Sequence, residues 1–112
     1  MRAEAKPPTA HRDFVRRFPG IGEAWELVAR SAEAGPLDPR TARLVKLGIA
    51  VGAMREGAVH SSVRKARAAG ASDDAMLQVL ALAATTIGFP ATVAAFTWVR
   101  EETRTRKKRR RG

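Results

Sequence analysis

The chain contains no cysteine. Disulfides, thiolate metal sites and thiol-based peroxide chemistry are excluded by composition. Aromatic residues are scarce, at 5%. A core must then come from Ala, Val, Leu and Ile, which suits closely packed helices. Only two histidines are present, His11 and His60, and His11 is surrounded by Arg12, Arg16 and Arg17. No metal-ligand spacing results, and neither a metal nor another cofactor is expected. There is no glycine-rich phosphate loop, because Gly48 and Gly52 fall within an apolar-periodic segment with no Lys-Ser/Thr behind them. No stretch alternates like a half-buried strand. The segment Met1–Ala10 has two prolines and no apolar core, so it is not expected to be a signal peptide, and a cytoplasmic protein is expected.

A length of 112 residues points to one domain. A chain of this size buries roughly two-thirds of its unfolded surface. Helix faces remain for partners, and self-association is expected. The formal net charge is +10, and seven basic residues between Arg104 and Arg111 supply most of it. Such a like-charge block is normally solvated and disordered. Three segments follow: a flexible arm over 1–10, a helical domain over 11–103 and a disordered basic tail over 104–112. The tail could hold nucleic-acid phosphates without sequence preference, through residues 104–111 only, or touch an anionic membrane surface. It could equally serve only solubility.

The run Ala75–Val99 carries no charge and is long enough to span a bilayer. Against a span stand Gln78, four threonines and the Gly88-Phe89-Pro90 break. Two buried helices joined at a corner are expected instead.

The remaining pattern is helical. His11–Phe18 places Phe14 and Phe18 at i, i+4, and Pro19-Gly20 is read as a break. Ile21–Ala34 follows, with Trp25, Val28 and Ala32 as inward candidates. Asp38 can cap a helix that has Pro39 at its first position. In that helix Leu44, Leu47, Val51 and Met54 make one apolar stripe. Gly48 and Gly52 cost about 1 kcal/mol each against alanine, and a close helix crossing is the expected reason. Glu56–Ala69 forms the next helix, closed by Gly70. Ser72 caps another that runs to Ile87, and a last helix starts at Pro90. The fold class is all-α, a compact bundle of five to six helices.

The segments Leu37-Asp38-Pro39-Arg40-Thr41, Ser62–Ala71, Ser72-Asp73-Asp74-Ala75-Met76 and Gly88-Phe89-Pro90-Ala91 with Trp98 resemble the carboxymuconolactone decarboxylase and alkylhydroperoxidase D-like family over roughly Trp25–Arg100. The resemblance implies that family's helical fold and a homotrimer or homohexamer. The family's redox members carry a glutamate, a Cys-x-x-Cys pair and a histidine. Aligning on Gly70 places those positions at Arg43, at Arg55 and Ala58, and at Ser62. None of the four matches. Peroxide reduction of this type needs one thiolate to attack and a second thiol to resolve it. A non-redox reaction of the decarboxylase or lyase kind is what the resemblance leaves.

His60 has Glu56 one turn before it and Arg64 one turn after, with Arg67 beyond. A carboxylate beside an imidazole can orient it and raise its basicity, which makes His60 and Glu56 the candidate catalytic pair. Glu, His and Arg at this spacing also describe an ordinary exposed helix face. Arg43, Arg55 and Arg64 are the candidate substrate-binding residues, since guanidinium forks suit carboxylate or phosphate. Arg43 and Arg55 could equally pair with acids across a subunit interface. Ser62 shares a small-residue face with Ala58 and Ala66 and reads as packing. The expected function is binding or conversion of a small anionic organic molecule. A non-catalytic oligomeric scaffold and a tail-mediated nucleic-acid binder are the alternatives.

Overall fold

The computed structural model describes residues 9–111, with side chains from 9 to 104. Six helices and no strand occur among them: α1 Thr9–Arg17, α2 Pro19–Glu33, α3 Pro39–Gly52, α4 Glu56–Ala68, α5 Asp73–Ile87 and α6 Phe89–Arg111. The backbone of α6 stays helical beyond Arg104, where a disordered tail is expected from the charge run. The side chains of the 105–111 block lie outside the described residues, as does most of the 1–10 arm.

The helix boundaries follow from local chemistry. The Asp38 carboxylate accepts the Thr41 backbone N–H at 2.7 Å, and Ser72 Oγ accepts that of Ala75 at 3.0 Å. Each satisfies a donor that the first turn leaves free. The break expected at Pro19-Gly20 falls between α1, which ends at Arg17, and α2, which starts at Pro19 rather than at Ile21, because a missing N–H costs nothing in a first turn. Helix α4 closes with Gly70 at φ +97°, Ala71 N–H donating to Ala66 C=O and Gly70 N–H to Arg67 C=O. The same closure ends α3, with Arg55 N–H on Ala50 C=O and Met54 N–H on Val51 C=O. There the left-handed position is held by Met54, at φ +53°.

The chain forms two compact units, Met1–Leu37 and Asp38–Gly112. In the first, α1 packs on α2. The Phe14 and Phe18 rings meet at a tilt of 46°, with centroids 5.3 Å apart. Gly22 is the buried residue of α2, since a Cβ there would come within 2.5 Å of Val15. Trp25 and Val28, expected to point inward, are 60% and 55% exposed. Two short helices offer too little surface to cover them.

In the second unit α3 packs on α4 and α5, and α6 packs on the same two. The helices therefore surround the core in the order α3, α4, α6, α5. Leu47 and Val51 from α3, Val59, Val63 and Ala66 from α4, Met76 and Leu80 from α5, and Ala95 and Val99 from α6 fill it. Gly88, at φ +88°, turns the chain between α5 and α6 in the middle of the uncharged run. Among the described residues no helix is long and apolar enough to cross a membrane.

Candidate functional site

Helix α4 carries three stripes, because each residue turns the helix by about 100°. Val59, Val63 and Ala66 face the core. To one side stand Ala58, Ser61, Ser62 and Lys65, and to the other Glu56, His60, Arg64 and Arg67. The first flank meets α3 and the second meets α6, and each builds a different centre.

The α3–α4 side holds a pocket of about 160 Å³, lined by Arg43, Lys46, Ala58, Ser61, Ser62 and Lys65. Three cations and two hydroxyls converge there, and no acid is among the lining residues. Arg43 and the two serines are half-buried. Half-burial strengthens electrostatic attraction relative to open water. The volume suits a small carboxylate or phosphate group and is below that of a drug-sized site.

The α4–α6 side is a polar seam. His60 Nδ1 lies 2.7 Å from Glu102 Oε2, and Arg64 Nη1 donates to the same oxygen at 3.0 Å. His60 Nε2 faces Glu56 Oε2 at 3.6 Å and Glu101 Oε1 at 3.5 Å. Further along, Arg67 Nη2 donates to Asp73 Oδ1 at 2.8 Å and to Thr103 Oγ1 at 3.3 Å. Its Nε is buried without a partner, a cost that the two Nη2 bonds offset. The His60 and Glu102 side chains are only 20% and 16% exposed. Of the open helix face suggested by the Glu56, His60, Arg64 spacing, His60 and Arg64 are partly covered and Glu56 stays exposed.

The structure does not gather the sequence candidates into one site. Arg43 lines the basic pocket. Arg55 caps the start of α4 and is exposed, without a side-chain capping bond. Arg64, His60 and Glu56 belong to the seam. Sequence reasoning missed Lys46 and Lys65 in the pocket, and Glu101 and Glu102 in the seam. Lys46 falls one turn after Arg43, which was a usable signal. Glu102 is 42 residues from His60, and nothing local links them.

A third concavity, between α3 and α5, is an aliphatic groove of about 600 Å³ whose lining includes Leu44, Gly48, Gly52, Val79, Leu82 and Ile87. A Cβ on Gly48 would stand 3.6 Å from Val79, and one on Gly52 would meet nothing within 4 Å. These glycines leave a hollow rather than a close helix crossing.

The carboxymuconolactone decarboxylase family model matches residues 19–101. The chain belongs to that family. Its fold is similar to the apo crystal structure of a carboxymuconolactone decarboxylase family protein from Legionella pneumophila, with a TM-score of 0.78 at 21% identity, covering 86% of this chain and 87% of that one. No curated protein matches the sequence. Within this family member, Arg43, Ala58 and Ser62 stand at three of the four positions that resemblance assigns to the redox residues, and all three line the α3–α4 pocket.

Proposed function

We propose that this cysteine-free carboxymuconolactone decarboxylase family protein binds a small organic anion of the carboxylate class in the pocket between α3 and α4. The observation that carries the proposal is the convergence of Arg43, Lys46 and Lys65 with Ser61 and Ser62 around one small cavity. Arg43 supplies a planar fork for a carboxylate, the lysines supply point charges and the serines supply hydrogen bonds. Preplaced cations stabilise negative charge that develops during reaction. The chemistry they support is decarboxylation or a related lyase step, not peroxide reduction, for which this chain has no thiol.

His60 and Glu56 stay outside this pocket. Three carboxylates surround His60, an environment that repels an anionic substrate. We also read the chain as a homo-oligomer. Phe14, Phe18, Ile21 and Trp25 are each at least 44% exposed, and grouped exposed apolar side chains mark interaction surfaces. Light scattering coupled to size exclusion reads the subunit number.

The binding test is a thermal-shift and calorimetric screen with mono- and dicarboxylates and inorganic phosphate. A carboxylate should raise Tm and bind saturably, and Arg43→Ala and Lys65→Ala should each weaken it at least tenfold. Saturable binding unchanged in both variants, or no response to any carboxylate, overturns the proposal.

A further inference from the structure

The polar seam between α4 and α6 contains an arrangement that the anion pocket does not use. His60 Nε2, a Glu56 oxygen and a Glu101 oxygen all lie within 4.8 Å of one another. We propose that these three residues bind a divalent first-row transition-metal ion, with Glu102 holding the imidazole in place.

The distances favour this reading over a set of hydrogen bonds. Nε2 is 3.6 Å from Glu56 Oε2 and 3.5 Å from Glu101 Oε1. An N–H···O bond needs about 2.7–3.2 Å, so neither carboxylate is a good acceptor as placed. A metal about 2.0–2.2 Å from each donor spaces its donors roughly 3.0 Å apart at a right angle and roughly 3.4 Å at a tetrahedral angle. The two nitrogen–oxygen gaps are within a few tenths of an ångström of that edge, and the two carboxylate oxygens lie within 4.8 Å of each other. Glu56 and Glu101 are 58% and 54% exposed, so their carboxylates can rotate inward at little cost.

The far side of the ring fits the same purpose. Metal-bound imidazoles almost always donate their other N–H to a carboxylate or carbonyl, which fixes tautomer and orientation. Here Glu102 Oε2 stands 2.7 Å from Nδ1. Arg64 turns to that same oxygen at 3.0 Å. Its charge therefore compensates the carboxylate behind the ring, not the two in front. Two carboxylates facing one ring nitrogen leave an excess of negative charge that a divalent cation offsets.

One imidazole with two carboxylates suits Zn²⁺, Mn²⁺ or Co²⁺ better than Mg²⁺ or Ca²⁺, which prefer oxygen alone. Three protein ligands leave at least one position for water, the pattern of an open site rather than a closed structural one. Because Glu56 and His60 are on α4 and Glu101 on α6, an ion would also tie the two helices together.

The test uses the full chain, freed of metal with chelator and titrated calorimetrically with ZnCl₂. One ion per chain is expected, together with a rise in Tm. Glu56→Gln and Glu101→Gln should each weaken zinc binding by about tenfold or more, while metal-free Tm stays near the parent value because both side chains are exposed. Absence of saturable zinc binding overturns the site. So does affinity that is the same in both variants, or Ca²⁺ binding as tightly as Zn²⁺. The titration is independent of the α3–α4 pocket, since none of these ligands lines it, and the two variants assign the signal to this site.

Discussion

Replacing Gly48 by alanine should stabilise the helical unit that follows Leu37. Gly48 is interior to α3, where glycine costs about 1 kcal/mol against alanine through backbone entropy. A clash could cancel that gain, but the added Cβ would sit 3.6 Å from Val79 Cγ1, an ordinary van der Waals contact. The expected effect is thus a gain of about 1 kcal/mol, with a small further gain from covering Val79. For a unit of this size 1 kcal/mol moves Tm by roughly 4–8 °C. Thermal unfolding followed by circular dichroism measures it, with chemical denaturation as a second reading. Gly70→Ala is the control of opposite sign. Its φ of +97° is hard for any residue with a Cβ, and a loss of about 1–2 kcal/mol is expected. If Gly48→Ala lowers Tm instead, α3 and α5 approach more closely than the hollow between them allows. The glycines would then serve a tight crossing after all.

Met54→Gly should raise Tm, because it relieves a left-handed backbone at φ +53° worth about 1 kcal/mol and sacrifices a side chain that is 38% exposed; a lower Tm would show that the Met54 side chain packs more than it strains. Asp38→Ala should destabilise at neutral pH, and the deficit should shrink in acid. The Thr41 backbone hydrogen bond, then its side-chain bond, hold the Asp38 carboxyl below the ordinary aspartate range, with Arg40 adding to the shift. A depressed carboxyl contributes stability above its unfolded value and loses it as pH falls through the folded one. Unfolding midpoints of both chains across the acid range give the comparison, and a pH-independent deficit would refute the cap. Glu102→Ala removes the shared acceptor of His60 and Arg64 and should cost about 1–3 kcal/mol, read by denaturant unfolding; a change under 0.5 kcal/mol, roughly the scatter of surface substitutions, would mean the seam is not formed.

Much of the fold was legible along the chain because the signals that set helix ends are local. Asp38 and Ser72 bond to groups three residues away, and Gly70 and Gly88 adopt backbones that other residues resist. The stripe from Leu44 to Val51 needs only the helical period to declare itself. Trp25 and Val28 were misread because amphipathic spacing names a face without showing whether anything covers it.

The centres divide in the same way. From sequence alone come the helical class, the loss of thiol chemistry, the family resemblance, and the separation of His60 from Ser62 by two residues of helix rotation. Those follow from composition and a fixed turn per residue. Only packing decided that Lys46 and Lys65 join Arg43 around one hollow, and that Glu101 and Glu102 close over His60. Helices far apart in the chain meet because their apolar faces seek the same core, and the polar residues flanking those faces are carried together.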